Sequence, residues 1–153
     1  MLLVEDDDND VFFFKKAIRD AGIQNELWVV RDGQEAMDYL TGDRHFADRT
    51  MYPLPCLIIL DLKMPRKTGI DVLRWLRREP YLNMIPVIVF SSSAQRDDVE
   101  LAYRLGANGF VVKPSSVEKR LEFARSLKGY WLHFNVPPGI CREEARTIAQ
   151  PVV

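Results

Sequence analysis

Cysteine, net charge and long apolar runs are all scarce in this chain. Its two cysteines, Cys56 and Cys141, match no metal-binding spacing and make no disulfide framework. A reducing cytoplasm is therefore the expected compartment, and Cys56, at the start of an apolar segment, is expected to be a small core residue. A net charge of -1 favours neither nucleic acid nor an anionic membrane through bulk electrostatics. No apolar stretch approaches the roughly 18 residues that a membrane span needs. The short N-terminal apolar run turns acidic at Glu5, which speaks against a secretory signal peptide. Repeats and low-complexity segments are absent too. What is present is a 153-residue chain, 47% hydrophobic and 28% charged, a balance and length that suit one globular domain with its own core.

Five short apolar runs alternate with helical patterns. Strands are expected at Leu2–Glu5, Leu27–Arg31, Leu57–Asp61, Val87–Ser91 and Gly109–Val112. Helices are expected over about 10–21, closing at Gly22; from a capping-box spacing Asp32…Glu35; over about 70–78, before Pro80; over about 97–105, stopping at Gly106; and from a second capping-box spacing, Ser115…Glu118. In the fifth helix Val117, Leu121, Ala124, Leu127, Trp131 and Phe134 recur by threes and fours, which predicts one buried face. This alternation implies an α/β fold: a doubly wound parallel sheet of five strands, flavodoxin-like with order 2-1-3-4-5, carrying five helices on its two faces. Residues 42–55 read as a long polar loop. Residues 1–134 form the expected domain, and 135–153 a tail, extended or with a short helix over Cys141–Gln150. The first strand begins with no lead-in, so a clipped N-terminus is expected.

Open sheets of this kind hold their chemistry at the carboxyl ends of the strands. Asp61 stands there after the run Leu57–Leu60, followed by Met64-Pro65. Glu5 and Asp6 end the first run, Ser91 the fourth and Lys113 the fifth. Three carboxylates at one edge repel one another until a proton or a cation relieves them. An oxygen-only set suits Mg²⁺ or Mn²⁺, and Mg²⁺ prefers one or two carboxylates plus phosphate oxygens. A carboxylate can itself be a nucleophile towards phosphorus, with Lys113 and Ser91 available to hold the phosphoryl oxygens. Taken singly, each piece has a plainer reading as a cap, a turn or a solvated loop; their joint order along four strand ends does not.

Val4-Glu5-Asp6, Asp61 with Met64-Pro65 and Gly69, Ser91, Phe110 and Lys113-Pro114 together resemble the receiver domain of two-component response regulators, over Leu2 to about Leu132. The resemblance implies Asp61 as phosphoacceptor and Asp6 as a direct Mg²⁺ ligand. Glu5 would act through a metal-bound water, and the Lys63 carbonyl would be a further ligand. It implies Lys113 and Ser91 on the phosphoryl oxygens, Ser91 and Phe110 as a switch pair, and a cis bond before Pro114. The stretches RDGQEAMDYL, SSSAQRDDVELAYRLGANGFVVKP and YWLHFNVPP, with the long loop, are similar to stand-alone regulators of phytochrome-type histidine kinases. The implied partner is a sensor histidine kinase, and output would be protein contact or onward transfer to a phosphotransfer protein. Such a switch transforms no metabolite. No DNA-binding or catalytic output domain is expected within the residues of the tail.

The competing class is a Mg²⁺-dependent phosphatase on the same fold. Such enzymes carry a second Asp two residues after the nucleophile, where this chain has Lys63. A flavodoxin-like cofactor binder is weaker, since no Gly- or Ser/Thr-rich phosphate loop follows the first strand. His45 and His133 lie far from any acid cluster in sequence, and Arg66-Lys67 and Arg77-Arg78 read as solvated charges. Phe13 and Phe14 make the first helix unusually aromatic. Tyr130, Trp131, Leu132 and Phe134 exceed what one sheet face can cover, so a C2 homodimer through the fourth helix, fifth strand and fifth helix is expected, with Trp131 and Phe134 at the interface.

Overall fold

The computed structural model describes residues 1–140. The expected helix over Cys141–Gln150 lies outside them. The elements are β1 (Leu2–Val4), α1 (Asp8–Asp20), β2 (Trp28–Val30), α2 (Gly33–Thr41), β3 (Ile58–Leu60), α3 (Gly69–Leu76), β4 (Val87–Ser91), α4 (Arg96–Arg104), β5 (Gly109–Val112) and α5 (Val117–Ser126). Short 3-10 turns occupy Arg44–Phe46 and Leu82–Met84, and α5 continues as a π-helix over Leu127–Phe134. The strands form one sheet in the order β2-β1-β3-β4-β5, with every pair parallel.

Period-two alternation divides the apolar strand residues between two cores. Leu2, Val4, Ile58, Leu60, Val87 and Val89 face α2, α3 and α4, whose Tyr39, Leu40, Val72, Leu73, Leu76 and Ala102 complete that layer. Leu3, Ile59, Ile88 and Phe90 face α1 and α5, against Val11, Phe14, Ile18, Ala124 and Leu127. Both faces are covered, and this is why the strands read as unbroken apolar runs rather than alternating ones.

Local signals account for most helix ends. Asp7 caps α1 by accepting from the Asp10 amide, and Thr68 with Asp71 forms a full capping box on α3. Three expectations shift by a residue or a partner. Asp32 caps α2, but the Glu35 carboxylate reaches the Arg31 amide at 2.6 Å instead of closing the box on Asp32. The α5 cap is Ser116, not Ser115, accepting from the Lys119 amide. The Lys113–Pro114 bond is trans, as is every peptide bond among the described residues. The trans isomer is the ordinary preference of such bonds, and with it the Lys113 side chain still reaches its partners.

The buried face expected for the fifth helix holds only in its middle. Ala124 and Leu127 are buried, whereas Val117 is 47% exposed and Phe134 74%. The wide π turns explain the change of phase: they bring both Trp131 and Leu132 onto the α1-side core and leave Tyr130 and Phe134 outside. The loop 42–55 is also less polar in structure than in sequence. Phe46 is buried and forms an aromatic cluster with Trp28, Tyr39 and Tyr52, and Arg49 donates to the Tyr39 and Leu40 carbonyls near the end of α2 and to the Tyr52 carbonyl of the loop itself.

Gly69 shows how tightly β3 and α3 are joined. A Cβ placed there would lie 2.1 Å from the Asp61 carbonyl oxygen and 2.8 Å from the Leu62 Cα, both backbone atoms that cannot step aside. Gly69→Ala is expected to lower stability by about 1–3 kcal/mol, in the range of overpacking substitutions, and urea unfolding of the two proteins measures it.

Candidate functional site

Because all five strands run in one direction, their carboxyl ends share one edge. The residues just past the strands stay in the ladder. The Glu5 amide donates to the Val30 carbonyl at 3.0 Å, Asp61 to Val4 at 3.0 Å and Lys113 to Ser91 at 2.8 Å. The backbone thus positions each functional side chain. Glu5 and Asp61 are buried at 1% and 4% exposure, while Asp6 is open to solvent.

One carboxylate oxygen each from Glu5, Asp6 and Asp61 lies within 4.8 Å of the others. Into this cluster reaches the Lys113 ammonium, 2.7 Å from Glu5 Oε2, 3.0 Å from Asp61 Oδ2 and 2.9 Å from Asp10 Oδ2. The second oxygen of Glu5 accepts from the Asp7 amide at 3.2 Å. Burial pushes the Glu5 carboxyl up to about 7, against the pull of Lys113. Burial also works against the charge of Lys113, but the bonds from Glu5 and Asp10 and the charges of Asp61 and Glu5 prevail and hold its pKa above that of an ordinary lysine. One ammonium cannot neutralise three converging carboxylates. The remaining negative charge, the all-oxygen donor set and the open Asp6 side suit a hard divalent cation.

Ser91, the last residue of β4, is fully buried, and its Oγ accepts from the Ser93 amide at 3.3 Å. Ser93 in turn donates its hydroxyl to the Asp98 carboxylate in the first turn of α4. Phe110 stands beside Val89 on the neighbouring strand β5, half-buried against the α2–α4 side core. Lys63 follows the site on the β3–α3 turn, its amide 3.4 Å from Asp61 Oδ1. The Pro114 carbonyl accepts from Arg120. Trp131 and Phe134 lie at the far end of the α5 π-helix, Trp131 half-buried and edge-on to Tyr130.

Three ion pairs at this edge are not legible in the sequence. Asp10 holds both Lys113 and Arg120, yet in the sequence it is one more acid in the run that opens α1. Arg66, read there as a solvated charge, pairs with the buried Asp32 that caps α2. The only available signal was Asp32 itself, whose capping oxygen leaves the second one to be satisfied.

Residues 1–125 match the family model for the response regulator receiver domain. A protein described as "Probable methanogenesis regulatory protein FilR2", from Methanothrix harundinacea, is 33% identical over 139 residues, 91% of this chain and 87% of that protein. Response regulator Rcp1 of Synechocystis is 33% identical over 132 residues, 86% of this chain and 88% of Rcp1. Its Mn²⁺-bound crystal structure superposes with a TM-score of 0.80 at 32% identity, over 90% of this chain and 97% of that one. The phosphorylated cyanobacterial phytochrome response regulator RcpA gives 0.83 at 33% identity, over 90% and 96%. These relatives are regulators rather than metabolic enzymes, and no helix among the described residues is long and apolar enough to cross a membrane. With the strand order, the acid cluster and the lysine in place, this chain belongs to the response regulator receiver family.

Proposed function

We propose that this chain is a cytoplasmic phosphorylation switch that takes a phosphoryl group on Asp61 from a sensor histidine kinase. The observation that carries this reading is the meeting of Lys113 with Asp61 and Glu5 at the edge where Asp6 opens to solvent. An Asp61 carboxylate oxygen attacks phosphorus. The P–N bond of the donor phosphohistidine breaks, and its electron pair leaves on the imidazole, which departs neutral because its other nitrogen carries the proton. Lys113 and the Ser91 hydroxyl hold the phosphoryl oxygens. Asp6, Asp61 and the Lys63 carbonyl are the proposed ligands for Mg²⁺ or Mn²⁺, with Glu5 acting through a bound water. The cation, when bound, offsets the charge gathering on the phosphoryl oxygens. The same site serves slow hydrolysis of the acyl phosphate, and the protein turns over no metabolite. Lys63 stands where a phosphatase of this fold would need its general acid, which disfavours that alternative.

Residues 1–134 act as the receiver and 135–153 as an appended tail. The similarity to RcpA, a phytochrome response regulator, supports a phytochrome-like kinase as the input, with a phosphotransfer protein or a direct protein contact as output. The phosphoryl group brings about -1.5 to -2 charge and new acceptors. Ser91 and Phe110, on neighbouring strands, are the proposed responders. For a homodimer, Tyr103, Val112, Tyr130 and Phe134 supply exposed apolar surface on α4, β5 and the end of α5, with Trp131 and Phe134 at its heart.

Acetyl phosphate with Mg²⁺ is expected to label the wild type once, and Asp61→Asn not at all with the fold intact; intact-mass spectrometry reads both. Undiminished labelling of the Asn variant would remove Asp61 from its role. Ser91→Ala is expected to accept phosphate yet leave Phe110 unmoved, which structures with and without fluoroberyllate check; Phe110 moving in the variant as in the wild type would contradict the switch. Sedimentation at tens of micromolar, a range where modest interfaces already associate, is expected to show a dimer that Trp131→Ala or Phe134→Ala weakens. A wild type that stays monomeric with and without fluoroberyllate would exclude the homodimer.

A further inference from the structure

Asp10 lies outside the three-carboxylate pocket, in the first turn of α1, and its carboxylate is held from both sides. Oδ2 accepts from Lys113 Nζ at 2.9 Å and Oδ1 from Arg120 Nη2 at 3.1 Å. Arg120 is itself braced. Its Nε donates to the Pro114 carbonyl at 2.8 Å, and its guanidinium carbon lies 5.1 Å from the centre of the Phe13 ring. Both cationic side chains are withdrawn from water, Lys113 at 7% and Arg120 at 15% exposure. Burial pushes the Asp10 carboxyl up, but the bonds and charges of Lys113 and Arg120 outweigh it and keep the group below the usual carboxylate range. Helix capping does not explain this arrangement, since Asp7 already caps α1.

A lysine ammonium has three N–H donors and no more. Here three carboxylates stand within hydrogen-bonding distance of it, those of Glu5, Asp10 and Asp61. A phosphoryl oxygen therefore cannot simply be added; it must replace one of the three. Glu5 and Asp61 belong to strand ends fixed by the sheet ladder. Asp10 differs in one respect: when the lysine turns away, Arg120 still neutralises it, so no bare carboxylate is left behind.

We propose that Asp10 is a positioning residue for phosphoryl uptake: it aims the Lys113 ammonium before the phosphodonor arrives and is the partner that Lys113 exchanges for a phosphoryl oxygen. This rests on the reading of Lys113 as the group that holds the phosphoryl oxygens. Bulk charge alone makes the opposite forecast. Deleting a negative charge beside a site that takes an anion improves donor binding, whereas loss of aim lowers the rate once the donor is bound. The two effects fall on different kinetic parameters.

The test measures phosphorylation by acetyl phosphate at saturating Mg²⁺ over a range of donor concentrations. An Asp61 oxygen bonds to phosphorus, the P–O bond to the acetyl group breaks, and acetate leaves with the electron pair. Asp10→Ala is expected to lower the maximal rate about tenfold, the scale of a modest misplacement, with the half-saturating donor concentration unchanged or lower. Asp10→Glu recovers most of the rate. Asp10→Asn, which keeps the side-chain size and one acceptor oxygen, shows a smaller loss in the same parameter. Asp8→Ala removes an acid from the same turn that pairs with Arg31 instead, and it leaves the rate unchanged. The second readout is the ¹⁵N ammonium resonance of Lys113 without any donor, slow to exchange in the wild type and shifted or faster to exchange in Asp10→Ala. A maximal rate in Asp10→Ala equal to that of the wild type, a loss shared by Asp8→Ala, or an unaltered Lys113 resonance would overturn the proposal. A wild type that takes up no phosphoryl group would instead sink the assignment of Asp61, and the resonance would still decide whether Asp10 holds Lys113.

Discussion

A single ammonium group ties the carboxyl edge of this protein together. Lys113 leaves β5 and meets carboxylates that arrive from β1, from β3 and from α1. Those partners are more than 50 residues away in sequence, and only a sheet with all its strands parallel brings them to one place. A buried ion cluster of this kind is weak evidence for stability, because desolvation offsets much of the attraction. Its consequence is functional. The cluster keeps more negative than positive charge, so it remains receptive to a divalent cation, and its lysine is already within reach of Asp61. The close fit at Gly69, where β3 hands over to α3 beside Asp61, fixes the Asp61 backbone next to the lysine.

The same edge is wired to two surfaces. On one side, Ser91 and Phe110 sit on adjacent strands, and Ser93 ties the β4–α4 turn to Asp98 at the start of α4. Ser91 is thus joined to α4 by a chain of two hydrogen bonds through Ser93. On the other side, Asp10 and Arg120 connect Lys113 to α1 and α5, with Phe13 lying against the guanidinium. Two packed layers flank the sheet, and each has its own hydrogen-bonded link to this edge.

Much of this architecture is legible in the sequence because the strands are buried on both faces. Unbroken runs such as Leu57–Leu60 reveal a strand and its end at once, and the residue after each end is a functional candidate: Glu5, Asp61, Lys113. What stayed hidden depends on contacts that no period encodes. Asp10 looks like any acid at a helix start until Lys113 and Arg120 close on it. Arg66 looks solvated until the buried Asp32 claims it. The loop 42–55 looks polar because its aromatic contributors, Phe46 and Tyr52, are spaced singly and meet Trp28 and Tyr39 only in the folded chain. The end of α5 reads as an ordinary amphipathic helix, yet its π turns move Trp131 and Leu132 inward together and leave Phe134 out. The capping-box spacing points to Ser115, yet the cap is Ser116, which accepts from the Lys119 amide.

The central claim is that Lys113 and Asp61 form a preset receiver for a phosphoryl group. A crystal structure with Mg²⁺ and fluoroberyllate tests it most directly. The account predicts beryllium bonded to an Asp61 carboxylate oxygen, a fluorine within hydrogen-bonding distance of Lys113 Nζ, and the cation among Glu5, Asp6 and Asp61. Beryllium bonded at another residue, or a Lys113 that makes no contact with the bound fluorides, would contradict it.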